Sequence, residues 1–61
     1  MTIIQLLEAL KPYGVQLSWH EVPGVWQVLL LDYAFAYFYD VDAHAALEAA
    51  WRLVQAEKVE E

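Results

Sequence analysis

Tyr33-Ala34-Phe35-Ala36-Tyr37-Phe38-Tyr39-Asp40 decides how this chain folds. Aromatic rings recur at 33, 35, 37 and 39, with Ala34, Ala36 and Phe38 between them. A period of two is the strand period, so one strand face would carry Tyr33, Phe35, Tyr37 and Tyr39. The other face would carry Ala34 and Ala36, which suit close packing beneath a helix. Rings in such a row expose too much apolar surface for a small domain to leave in water. The expected use of that face is contact with another protein. A ladder of rings that only stabilises the sheet is the plainer account, because tyrosine is a good strand former.

Upstream of that run, residues 15 to 22 alternate apolar and polar: Val15, Leu17 and Trp19 on one face, Gln16, Ser18 and His20 on the other. Pro23-Gly24 is a turn pair. Residues 25 to 31 read as a second strand, apolar on both faces apart from Gln27. Asp32-Tyr33 offers a second tight turn, since aspartate tolerates positive φ better than most residues. The rival is one long bent strand from residue 25 to 39. Three strands are expected, because a three-stranded sheet supports itself and a lone hairpin does not.

A helix flanks the strands on each side. Thr2 and Gln5 fit a capping box, and Ile3, Leu6, Leu7 and Leu10 follow on one face until Pro12 and Gly14 end the run. The first helix is expected over residues 3 to 11. Asp42, with Asp40 as the alternative, is the expected N-cap of a second helix over residues 43 to about 58. Its inward stripe is Ala43, Ala46, Leu47, Ala50 and Val54, with Trp51 and Leu53 on the flanks. Glu48 and Arg52 stand i, i+4 on a solvated face. The whole is a single small α+β domain over residues 1 to 61: helix, three-stranded antiparallel sheet, helix, with both helices on one sheet face. The open face would then display Gln16, Ser18, His20, Gln27, Leu29, Leu31, Tyr33, Phe35, Tyr37 and Tyr39.

Composition narrows the function classes. The 61 residues include no cysteine, so disulfides and thiolate metal sites are excluded. A chain of this length buries only about 60% of its unfolded surface. Yet residues of the apolar set AVILMFWYC make up 61% of it. With no other staple at hand, self-association is the expected source of added burial. Nine acidic residues against three basic ones give a formal charge of -6. Lys11, Arg52 and Lys58 are scattered, so direct binding to nucleic acid or to an anionic membrane is not expected. A basic protein surface is the second expected partner, with Asp40, Asp42 and Glu48 as contacts. No stretch reaches the roughly 18 apolar residues of a spanning helix, and the N-terminus lacks a basic leader region. The expected location is the cytoplasm.

No catalytic constellation stands out, and no enzyme activity, metal or cofactor is expected. Asp40-x-Asp42-x-His44 places oxygen and imidazole ligands at alternate positions, a pattern that can hold a divalent cation. As a helix start, the same carboxylates cap free N–H groups and complement the dipole. If Asp42 caps, His44 turns away and the trio does not converge. His20 and Glu21 are adjacent on a strand and point to opposite faces, so they do not make an acid–base pair. Ser18 has no nucleophile-elbow setting, and with glycine only at 14 and 24 there is no phosphate-cradling loop.

The order helix, three strands, helix resembles the double-stranded-RNA-binding domain in topology. That family carries a lysine-rich cluster at the start of its second helix, where this chain reads Asp40-Val-Asp-Ala-His-Ala, so RNA binding does not transfer. Trp26-Gln-Val-Leu-Leu, the aromatic and alanine strand, and Ala46-Leu-Glu-Ala-Ala together resemble small phage-encoded α/β sandwich proteins of unknown function. Thr2-Ile-Ile-Gln-Leu-Leu-Glu-Ala-Leu and Gly14-Val-Gln-Leu are similar to the start of megasynthase docking domains. Both resemblances imply interaction rather than catalysis. The functional expectation is an acidic, non-enzymatic interaction module that forms a homodimer through the aromatic face, at Leu29, Leu31, Tyr33, Phe35, Tyr37 and Tyr39. The alternative is a phage or mobile-element inhibitor whose carboxylates stand in for phosphates in a basic groove of a host enzyme.

Overall fold

The computed structural model describes residues 1–33 and 36–59. Helix α1 spans Ile3–Leu10 and is followed by one 3₁₀ turn, Lys11–Tyr13. Strands β1 (Val15–His20), β2 (Val25–Leu30) and β3 (Ala36–Asp40) form an antiparallel sheet in the order β1-β2-β3. Helix α2 spans Ala43–Val59. The long bent strand is thus replaced by two strands and a turn, and the element order is the expected one.

Local chemistry accounts for each boundary. Thr2 and Gln5 form the capping box: the Gln5 N–H donates to Thr2 Oγ1 at 3.1 Å and the Thr2 N–H donates to Gln5 Oε1 at 2.8 Å. Two N–H groups at the start of α1 are satisfied at once. Asp42 caps α2, its Oδ1 accepting the His44 N–H at 3.1 Å while its carbonyl accepts the Ala46 N–H at 3.1 Å. Asp40 shapes the approach, its Oδ1 accepting the Asp42 N–H at 3.0 Å. A turn over residues 21–24 joins β1 to β2, with Gly24 at φ 95°.

One face of the sheet carries three cross-strand rows. Val15, Leu30 and Ala36 make the first, Leu17, Val28 and Phe38 the second, and Trp19, Trp26 and Asp40 the third. The helices pack on this face. Leu6 and Leu10 from α1, Val28 and Leu30 from β2, and Ala46, Leu47, Ala50 and Val54 from α2 form one buried cluster. The predicted inward stripe of α2 is therefore buried, and Trp51 packs against its flank. On α1, Ile3 stays 38% exposed, because the helix meets the core along Leu6 and Leu10, with Leu7 at their flank.

Gly14 holds the point where the 3₁₀ turn enters β1. Its φ is 71°, and its carbonyl accepts the Leu31 N–H at 3.1 Å while the Tyr13 carbonyl accepts the Asp32 N–H at 3.0 Å. A Cβ there would stand 2.9 Å from Asp32 Oδ2 and 3.2 Å from the Asp32 nitrogen. The left-handed backbone alone costs an L-residue about 1–2 kcal/mol. Gly14→Ala is expected to lose about 2–3 kcal/mol once the contact is opened as well. Gly24→Ala, at φ 95° with its nearest neighbour at 3.6 Å, should lose the backbone cost of about 1–2 kcal/mol without the added contact. Thermal midpoints of the two variants would check the ranking.

Candidate functional site

The open face of the sheet has its own rows. Gln16, Leu29 and Tyr37 lie side by side, as do Ser18, Gln27 and Tyr39, and His20 pairs with Val25. Alternation from Ala36 sends Tyr37 and Tyr39 outward, where they are 53% and 60% exposed. Their rings stack, with centroids 6.4 Å apart and planes at 6°. The His20 Nε2 and Gln27 Oε1 are hydrogen-bonded across β1 and β2, which orders the polar edge. Apart from His20, the described side chains on this face are Gln, Ser, Leu, Val and Tyr, with no carboxylate among them. The six acidic residues placed in the structure before Glu57 all lie elsewhere: in α1, the turns, the inner end of β3 and α2.

Two of the expected face residues are elsewhere. Tyr33 lies in the β2–β3 turn, not on the open face. Its N–H donates to the Leu30 carbonyl and its carbonyl accepts the Ala36 N–H, which delays the start of β3 to Ala36. The ring turns to the core and meets Tyr13 edge to face, with centroids 5.6 Å apart. Leu31 is also a turn residue, and its N–H donates to the Gly14 carbonyl. Leu29, Tyr37 and Tyr39 occupy the expected face. Phe35, and Ala34 expected beneath the helices, lie outside the described residues.

Tyr33 carries the clearest electrostatic signature. Its Oη is occluded by its immediate neighbours and makes no hydrogen bond of regular geometry among the described residues. Desolvation, then the nearby Glu57 carboxylate, then Tyr13 raise its pKa above the ordinary 10.0. The folded chain therefore keeps this proton at a pH where the unfolded chain has lost it. The contribution is complete below about pH 10 and is lost as pH rises through the folded pKa. Tyr33→Phe is expected to flatten that alkaline fall, because it removes the proton whose loss causes it. Urea midpoints measured from about pH 8 to about pH 11 would check this.

The acidic candidates are engaged locally. Asp40 and Asp42 each give one oxygen to a backbone N–H at the start of α2. Glu48 faces back towards His44, Oε1 to Nδ1 at 3.8 Å, instead of forward to Arg52. The His44 Nε2 meets the Met1 carbonyl and ties the start of α1 to α2. Among the described residues no three His, Asp or Glu side chains gather as a metal site. No described helix is long and apolar enough to cross a membrane.

Sequence reasoning missed the exposed end of the inner face. Trp19 is 49% exposed and packs on Trp26, with centroids 5.2 Å apart. The signal was Asp40: counting by twos from Ala36 puts a carboxylate in the same row, which marks the limit of the core. No family model, curated protein or solved structure matches the chain.

Proposed function

We propose that this chain is an interaction module that pairs with a second copy of itself through the open sheet face, with Leu29, Tyr37 and Tyr39 at the contact. The observation that carries this is the stacked, half-exposed tyrosine pair on a sheet whose opposite face already holds the helices. Charge distribution supports a like partner. Two chains of formal charge -6 repel each other, and this face lets them meet without bringing carboxylates together. A two-fold arrangement closes on itself, because the same surface serves both copies.

Size sets the strength. Strands about 4.8 Å apart and about five residues long give a footprint of roughly 250 Å². Side-chain relief raises the accessible area above that, but a standard interface takes about 800 Å² from each partner. A weak, reversible dimer is the expected result. Sedimentation from about 1 μM to about 1 mM should show the mass rising from monomer to dimer. A monomer mass over the whole range would overturn the proposal. Contact of Asp40, Asp42 and Glu48 with a basic groove has less support, given the local roles of these carboxylates.

A further inference from the structure

Strand β1 is an outer strand of the sheet, with β2 on one side only. At its two ends the Gly14 carbonyl accepts the Leu31 N–H and the His20 carbonyl accepts the Gly24 N–H. Even-numbered residues of β1 therefore turn their backbone groups towards β2. Alternation turns the N–H and C=O groups of Val15, Leu17 and Trp19 outward, where they have no backbone partner among the described residues. We propose, resting on the face pairing, that two face-paired dimers join along this edge, β1 against β1 of a second copy, and close on four chains.

The edge complements itself. Antiparallel pairing about Leu17 sets Leu17 opposite Leu17 of the second copy, and Val15 opposite its Trp19. Every outward N–H and C=O of both strands then has a partner. These side chains lie on the inner face, where Val15 and Leu17 are half-buried and Trp19 is 49% exposed, and each gains a cross-strand neighbour. The same register brings Lys11, before the strand in one copy, beside Glu21, after the strand in the other. Both are exposed, and neither has an ion-pair partner among the described residues. A two-fold contact forms this opposite-charge pair twice. Strand β1 has no lysine, proline or carboxylate to blunt its edge, whereas β3 turns only Tyr37 and Tyr39 outward and ends in Asp40.

Area and symmetry point to the same occupant. A face footprint of roughly 250 Å² falls short of the roughly 800 Å² that a stable partner needs. Joining two sheets along β1 doubles the face that two layers share. The edge two-fold stands perpendicular to the sheet at Leu17. The face two-fold lies along the sheet, between the row of Gln16, Leu29 and Tyr37 and the row of Ser18, Gln27 and Tyr39, which is also the level of Leu17. Perpendicular two-folds that meet close on four copies. Water competes for the backbone bonds of a single edge, so the edge contact forms once face pairing holds two edges side by side.

The test is amide exchange with water, followed by NMR on the whole chain from about 0.1 mM to about 5 mM. The amides of Val15, Leu17 and Trp19 should slow at least about fivefold as concentration rises, and those of Gln16 and Ser18, already turned to β2, should not. Because the edge waits on the face, mass beyond the dimer should appear only above about 1 mM. Lys11→Glu should abolish the slowing, and Lys11→Glu combined with Glu21→Lys, which keeps the native net charge, should restore it while circular dichroism stays native. Ring signals of Tyr37 and Tyr39 report the face contact separately. Ring shifts with concentration but no slowing at 15, 17 and 19 would overturn the edge contact and keep the face contact. Neither change would overturn both. Slow exchange at those three amides at every concentration would mean that the edge is closed within one chain, which also overturns the proposal.

Discussion

Leu47→Ala is expected to shift the urea midpoint by about 2 M or more, and to leave part of the chain unfolded in plain buffer. Leu47 is fully buried in the stripe of α2, in one cluster with Leu6 and Leu10 from α1 and Val28 and Leu30 from β2. Truncating such a side chain removes its transfer energy and leaves a cavity, at about 2–5 kcal/mol. Natural domains have about 0.05–0.15 kcal/mol per residue, so 61 residues have about 3–9 kcal/mol to lose. Without a disulfide, little else can hold the helices to the sheet. Arg52→Ala, on the exposed side of the same helix, is the control and should stay within about 0.5 kcal/mol. A Leu47→Ala midpoint close to that control would mean the core is centred elsewhere.

Tyr37→Ala should act on assembly and spare the fold. Tyr37 lies beside Leu29 on the open face and stacks on Tyr39, and none of these side chains is fully buried in the monomer. A central aromatic at an interface often costs about 2 kcal/mol when truncated, roughly a thirtyfold loss of affinity. The dimer should fall apart in sedimentation while circular dichroism stays native. Ala50→Leu supplies the opposite result. Ala50 is fully buried in the core, and a larger side chain there should cost about 1–3 kcal/mol of stability without touching the contact surface. If Tyr37→Ala changes neither assembly nor stability, the tyrosines only form strand.

Sequence patterns made the elements legible where the signal is local. The capping box at Thr2 and Gln5, the Asp42 cap and the α2 stripe all depend on residues within a turn of one another. Alternation placed Tyr37 and Tyr39 outward and Ala36 inward for the same reason. It could not say where the strand begins. Tyr33 continues the period of two perfectly well, yet its N–H bonds back to the Leu30 carbonyl and its ring meets Tyr13, which is distant in sequence. A cleft of about 370 Å³ between the β2–β3 turn and the last turns of α2 was hidden for a related reason: Asp32 and Glu57, 25 positions apart (57 minus 32), both line it only because α2 packs on the sheet.

The small residues of α2 have a consequence for how this sequence can drift. Ala43, Ala46 and Ala50 are buried along the inward stripe of α2, and Ala36 packs against the core from β3. A gap set by the smallest chiral side chain closes the usual routes of neutral change. Substitution by glycine would loosen the helix, and anything larger would force helix and sheet apart. Most core positions can exchange one aliphatic residue for another of similar volume, so they wander over generations. These have no such neighbour in the amino-acid alphabet. Any descendant that keeps this fold is therefore expected to keep alanine at 43, 46 and 50, or to change several contacts at once, while the leucines around them trade places with isoleucine and methionine.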